Sequence, residues 1–600
     1  MVETALGLSG FFLGFLFTGV INRFLGLIFF VFNKVFKQFT NAYLGSVRIL
    51  LKGCLLGLLV YGGLIYLTYK TLNDSPAGFI PAQDKGYLLV NAQLPDSASF
   101  GRTEALMKKV EAITSKTPGV LHTVSLTGQS LLLGANAPNF GSMFVMLDKF
   151  ENRRSADLSS EAIGQYLEQE FRREIPEGLI NVLGAPPLDG LGTAGGFKIM
   201  IEDRGDQGML ALQNIAQRIV ESAGEYPQLN KVFSHFRADT PWLFLDIDRK
   251  AAQTMGIAMG EIFNTLQIYL GSFYINDFNR FGRTWQVTVQ GDSEFRRRID
   301  DLKRLKVRNM HGEMVSLGAI TRVKEAAGPV LIARYNLYPA AAINLNPGPG
   351  TSSGQAIELM EDLARKNLAP SMRQEWTELA LLQLQVGSTA MIAFGLAVVL
   401  VFLVLAAQYE SWSLPLAVIL VVPICLLCAV AGVRIAQMDI NIFTQIGFVV
   451  LVGLASKNAI LIVEFARARR EAGSDRMRAT LEACRLRLRP IIMTSFAFIL
   501  GVVPLVLAEG AGAEMRRTLG TAVFSGMLGV TLFGIFLTPI FYYVIQWIGD
   551  ASRTSDCGSG DPKDSGGTIL DSEGLRDSQL IGSQETKSFK ARVPGGDSNG

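Results

Sequence analysis

The chain has 600 residues, 49% hydrophobic and only 18% charged, with a mean hydropathy of +0.28. It is too apolar for an ordinary soluble protein and too polar for a pure membrane bundle, so membrane spans and a large water-facing part must coexist. Its 56 Lys and Arg against 53 Asp and Glu leave a net charge of +3, too balanced for a protein that binds nucleic acid or another polyanion.

Residues 1–20 form an apolar segment too short for a comfortable span, with Glu3 where a signal peptide would be positive and no A-x-A site after it. The expectation is a short or truncated span. It feeds an aromatic, basic stretch over 21–52 that reads as an amphipathic helix on the inner membrane surface. A bilayer core of ~30 Å requires about 20 mostly apolar residues per helix. Residues 53–69 meet that requirement. So do 387–407, 413–433, 441–465, 490–507 and 521–545, which makes six spans and a five-span bundle over 387–545. The segment 21–52 holds Arg23, Lys34, Lys37, Arg48 and Lys52 with no acid, and 467–489 holds eight arginines against three acids. By the positive-inside rule both face the cytoplasm, and alternation along the chain agrees. The loop from Asp74 to about Glu378 then faces outward, into the periplasm of a cell with two membranes.

Within that loop, residues 85–190 alternate strand-like and helix-like stretches in the order β-α-β-β-α-β, the ferredoxin-like split βαβ pattern. A second such unit occupies 191–248 and 337–375. It is interrupted by an insertion over 249–336 that contains FYINDFNRFGRTWQVTVQ, a hairpin reading centred on Asn279, Arg280 and Gly282. At about 3.4 Å per residue such a hairpin reaches ~25 Å, far enough to enter a neighbouring subunit; a plain surface hairpin is the alternative. The fold class is therefore a membrane α-helical bundle plus an α+β domain of split βαβ units with an inserted subdomain. From 550 to 600, Ser, Gly and Asp dominate, and the expectation is a disordered cytoplasmic tail.

One residue dominates the chemistry. Lys457 stands in VVLVGLASKNAILIVEF, about 27 Å of helix from Asp439 and about 15 Å from Arg467, too deep to snorkel with ease. A charge there costs ~2.5–3.5 kcal/mol unless a partner, water or proton loss offsets it, which points to proton or ion coupling. The plainer reading is a lysine that bonds free carbonyls in the bundle. Asn458 and Thr494 are polar groups able to join a network, or ordinary helix-packing contacts. Arg487, seven residues before Thr494 and on nearly the same face, sits at the cytoplasmic mouth; it reads equally well as a topology-setting charge. No Asp or Glu lies at mid-depth in the spans, and Glu464 is two turns further toward the cytoplasm.

Enzyme chemistry finds no support. Cys54, Cys425, Cys428, Cys484 and Cys557 show no metal-site spacing, and His122, His235 and His311 are far apart and outside any HExxH pattern. No nucleophile and base stand out together. No metal or organic cofactor is expected.

The runs ASKNAILIVEFA and RLRPIIMTSFAFILGVVPLVLAEGAG, with GFIPAQDKGYL, LGSFY, YINDFNRFGRTWQV, RYNLYPAAAI and SSGQAIELMEDLA, resemble the resistance-nodulation-division (RND) superfamily, in particular its hydrophobe/amphiphile efflux branch. The likeness covers the carboxy-terminal half of such a pump. It implies a homotrimer in the inner membrane, periplasmic porter subdomains, and a docking subdomain over 249–336 whose hairpin enters the next protomer. It further implies a periplasmic adaptor and an outer-membrane channel as partners. Lys457 would pair with two aspartates from the amino-terminal half, with Thr494 and Arg487 completing a proton relay. Phe140 and Phe144 would touch drug in a cleft, although by strand alternation Phe144 reads as sheet core. Three readings follow: half of a proton-driven exporter completed by a separate chain, a nonfunctional truncated remnant, and an adaptor-binding scaffold without transport.

Overall fold

Helix α1 runs unbroken from Val2 to Lys52 in the computed structural model, which describes residues 2–387 and 389–556. No proline interrupts these residues, so the short apolar segment and the amphipathic stretch expected after it form one helix. Its last turns bury Tyr43, Val47 and Leu51 at helical spacing, while Phe29, Phe30 and Phe39 remain exposed. α2 (Cys54–Asn73) follows.

A linker then enters the first α+β unit. β1 (Tyr87–Gln93), α3 (Phe100–Thr114) and β2 (Val120–Ser130) are followed by β3 (Ala135–Leu147), α4 (Ser160–Glu174) and β4 (Leu179–Gly184). Ser99 and Ser159 start the two helices by accepting bonds from the amides of Arg102 and Ala162. The sheet order is β2-β3-β1-β4 with antiparallel neighbours, so each helix joins two strands that have a third between them. Leu88, Val90, Met143 and Val145 pack with the helices in one core. Strand alternation turns Asn91, Gln93, Phe140 and Phe144 to the opposite face.

The second unit begins with β5 (Phe197–Asp203), α5 (Met209–Ala223) and β6 (Leu229–Phe233). An insertion comes next, made of β7 (Thr240–Ile247), α6 (Arg249–Thr254), α7 (Met259–Leu266), β8 (Phe273–Arg280), β9 (Arg283–Val289), α8 (Ile299–Arg304), β10 (Lys306–Arg308), β11 (Met314–Ser316) and β12 (Thr321–Gly328). After the short β13 (Arg334–Tyr335), the unit resumes with β14 (Tyr338–Pro347), α9 (Ser353–Asn367) and β15 (Met372–Thr377). β14 lies between β6 and β5, and β15 closes the other edge, which repeats the strand order of the first sheet. One boundary differs from expectation. β7 pairs along its whole length with β12, so it belongs to the insertion, although its residues fall in the segment read as part of the second unit. Alternation of side chains marks a strand without marking its partner.

The remaining helices form the membrane part: α10 (Glu378–Val386), α11 (Thr389–Tyr409), α12 (Leu414–Ile419), α13 (Val422–Ile435), α14 (Ile442–Glu471), α15 (Arg476–Val506), α16 (Ala513–Gly529) and α17 (Ile535–Asp556). Among the described residues, six helical segments are long and apolar enough to cross a membrane, α2 and five after residue 377. The break between α12 and α13 falls beside Pro423, and a wide π-type turn over Val530–Gly534 joins α16 to α17. α15 begins fourteen residues before the expected 490, since Pro490 stands inside the helix. α17 extends to Asp556, into the segment expected to be a disordered tail; the rest of that segment, with Cys557, lies outside the described residues.

Candidate functional site

α14 packs against α11, α13, α15 and α16, and this packing buries one side of it. Ile446, Val450, Gly453, Lys457 and Glu464 share the other side at spacings of three, four and seven residues, and all five are exposed. Lys457 thus projects from an uncovered stripe of the helix, deep within an apolar span. Among the described residues it makes no hydrogen bond or ion pair. Glu464, about 10 Å along the helix, is the carboxylate on the same stripe.

Asn458 turns the other way and is buried. Its Nδ2 donates to Ser495 Oγ on α15 at 3.1 Å, a residue the sequence reading had not singled out. Thr494, next to Ser495, donates instead to its own helix at the Ile491 carbonyl (3.1 Å). Asn458 and Thr494 are therefore not bonded to each other. Arg487 approaches α14 seven residues further along it: its guanidinium lies 4.9 Å from the centre of the Phe465 ring. Arg487 Nε is buried without a hydrogen-bond partner. Asn458–Ser495 and Phe465–Arg487 are thus two rungs of one antiparallel helix pair, and they fix the face that carries Lys457.

The far end of α14 is tied to the α+β part. The amide of Gly78 donates to the Ile440 carbonyl (3.1 Å), that of Ile440 to the Pro76 carbonyl (2.9 Å), and that of Ile442 to the Phe79 carbonyl (3.0 Å). These bonds clamp the linker before β1 onto the start of the lysine-bearing helix. A displacement of α14 along its axis would pull on that linker.

A second feature lies between the two α+β units. A cleft of about 280 Å³ is lined by Leu132, Phe140, Phe236, Arg237, Tyr335 and Asp96, among others. Lys198 and Glu378 form an ion pair within its lining. Phe140 is buried and lies in that lining. Phe144 shares its face of β3 but is absent from the lining; it is half-buried, its ring 6.3 Å from that of Tyr87. It stands outside the helix-backed core to which strand alternation alone assigned it.

The sequence matches the AcrB/AcrD/AcrF family over residues 5–546. The chain belongs to that family. It is 35% identical over 519 residues to the toluene efflux pump membrane transporter TtgB of Pseudomonas putida, an alignment that covers 86% of this chain and 49% of TtgB. It is 35% identical over 517 residues to the multidrug export protein AcrF of Escherichia coli K12, covering 86% and 50%. Its identity to the multidrug resistance protein MdtF of the same strain is 33% over 523 residues, again 86% and 50%. The chain spans about half the length of these curated relatives. They are efflux transporters rather than enzymes, in keeping with the lack of catalytic arrangement in the sequence.

In this AcrB-family chain the expected hairpin is present as β8 and β9, with Arg280 opposite Arg283 and Asn279 opposite Thr284. Its two-residue turn, Phe281 and Gly282, has positive φ at both positions (56° and 70°), the geometry that matches the twist of paired strands. Arg280 stacks over the Phe281 ring at 4.9 Å, and Thr284 Oγ1 donates to Asn279 Oδ1 at 2.9 Å. Every residue of both strands is exposed, including Phe273, Tyr274, Phe278 and Trp285.

Proposed function

We propose that this chain is the carboxy-terminal half of a proton-driven RND efflux transporter of the inner membrane, exporting amphiphilic or hydrophobic compounds, with Lys457 as its coupling cation. The observation that carries the reading is Lys457 itself, uncovered on α14 at mid-span and without a carboxylate partner among the described residues. Carboxylates from a part of the pump outside these 600 residues complete the pair. When they are ionised they hold the lysine; when protonated they release it, because the attraction that offset its burial is gone. Asn458 on Ser495 and Arg487 on Phe465 keep α14 and α15 in register during the exchange, with Thr494 beside them. The clamp at Gly78 and Ile440 carries the movement of α14 to the α+β units. Those units lie in the periplasm, given the basic segments 21–52 and 467–489 on the cytoplasmic side.

The exposed aromatic hairpin supports a homotrimer in which each β8–β9 arm enters a neighbouring protomer. A periplasmic adaptor and an outer-membrane channel complete the export path. Substrate contacts include Phe140 in the cleft, with Phe144 on the same sheet face. The names of TtgB and AcrF place toluene and multiple drugs among the substrates of those relatives, and the apolar, aromatic cleft lining suits that class here.

The test is dye accumulation in a host lacking its own efflux pumps. The chain alone is expected to leave accumulation unchanged, whereas the chain with the remaining half of the pump lowers it in an uncoupler-sensitive way. Uncoupler-sensitive efflux by the chain alone would show that no outside carboxylate is needed.

A further inference from the structure

The two α+β units meet through a buried polar cluster centred on His235, just after β6, which is 3% exposed. Its Nδ1 lies 2.6 Å from Gln93 Oε1 on β1. Its Nε2 lies 3.2 Å from Asn91 Nδ2 on β1 and 3.4 Å from Asn181 Nδ2 on β4. These contacts fit a neutral ring that donates from Nδ1 and accepts at Nε2. The Phe233 ring packs edge-on at 5.0 Å.

We propose that His235 is an acid-released latch between the two α+β units: neutral, it ties β1 and β4 of the first unit to the second; protonated at Nε2, it lets them part and widens the cleft beside it. A protonated Nε2 would face the Asn91 Nδ2 donor at 3.2 Å, and it would face the Asn181 Nδ2 donor at 3.4 Å until that amide turned over. Asn91 Oδ1 already accepts from Ser130 Oγ (2.8 Å), whereas Ser142 Oγ, 3.4 Å away, has the Gln129 carbonyl at 3.0 Å, so turning that amide over would leave the buried Ser130 hydroxyl without its acceptor. Ser130 and Ser142 in turn accept from the amides of Leu133 and Leu131, which anchors the amide's present orientation.

The charged surroundings oppose the imidazolium as well. Burial, and after it the charge of Arg237 two residues on, depresses the His235 pKa to about 4. Asp96, after β1, lies in the field of both Arg237 and Asp239. Lys231 on β6 is held by Glu168 and the Val182 carbonyl, and Lys198 on β5 by Glu378. The strands supplying the cluster present Asn91, Gln93 and Asn181, which are neutral. Gln93, His235, Phe236 and Arg237 also line the cleft, so parting the cluster opens that wall.

The direction in pH follows. A solvated histidine titrates near 6.5, so the latch is fully closed above that pH and weakens as pH falls through the interval down to about 4. The ratio of closed to open drops about tenfold per pH unit there, roughly 300-fold in all. The inference stands on the α+β block alone and needs no transport activity.

Hydrogen exchange at imidazole carbons, read by mass spectrometry on the whole chain in detergent, resolves each histidine. His122 and His311 are exposed and serve as internal references. His235 is expected to titrate near pH 4, well below the 6.5 of a solvated histidine. Spin labels at Lys108→Cys on α3 and Arg365→Cys on α9, both exposed, are expected to move apart with the same midpoint. His235→Gln should abolish that transition. The latch is overturned if His235 titrates near 6.5, if the spacing stays constant while His235 titrates, or if His235→Gln shows the same transition. Should that variant fail to fold, the exchange and spacing curves of the chain with His235 intact still decide.

Discussion

Pro539 has no N–H to offer the carbonyl four residues earlier, Ile535, and Tyr43 Oη supplies the missing donor from α1 at 2.8 Å. Tyr61 Oη does the same for the Leu420 carbonyl at the break between α12 and α13 (2.7 Å). In an apolar medium an orphaned carbonyl is costly, so these two phenols hold α1 and α2 to the bundle. Tyr43→Phe is expected to lower stability in detergent by about 1–3 kcal/mol. In a Pro539→Ala background the restored N–H satisfies Ile535, and the same substitution should cost less than half as much. Unfolding curves of the four variants measure the coupling. Lys457 is legible in the sequence because one charge in an apolar run contradicts its surroundings. His235 is not: its partners come from β1 and β4, more than 50 residues upstream, and only the fold brings them to one ring. Ser495 escaped for a similar reason, since a serine in a span looks like Thr494 beside it until α14 chooses between them.

Helix packing in the bundle depends on small residues. A Cβ at Gly520 on α16 would fall 2.8 Å from Leu505 Cβ and 2.9 Å from the Val506 amide nitrogen, and backbone cannot yield as a side chain does. Gly453, one turn from Lys457, has nothing within 4 Å. Gly520→Val is therefore expected to destabilise the chain by about 1–3 kcal/mol, and Gly453→Val by less than ~0.5 kcal/mol, in thermal unfolding of the purified chain. If a further part of the pump covers the α14 stripe, as proposed, Gly453→Val should also weaken that association. Apolar run length located all six candidate spans to within a few residues at most ends. It failed at α15, where arginines ended the apolar run at Pro490 although helical hydrogen bonding continues for fourteen residues before it. Strand alternation found β7 but gave it to the wrong sheet, since alternation carries no information on pairing.

At the scale of the molecule, two features point beyond the 600 residues. The α14 stripe leaves a cation in the span without a counter-charge among the described residues, and the β8–β9 arm leaves a row of aromatic residues exposed. Within the chain, the clamp of Gly78 and Phe79 on Ile440 and Ile442 joins the lysine-bearing helix to the α+β units. The balanced charge hides this organisation, because basic segments flanking the spans cancel against an acid-balanced exterior. The central claim is that Lys457 couples proton movement to export. Its most direct test is drug-stimulated proton flux in vesicles that hold the completed pump, with Lys457 intact or replaced by methionine. The expected result is flux reduced to background in Lys457→Met with assembly unchanged; flux within about twofold of that with Lys457 intact would contradict the claim.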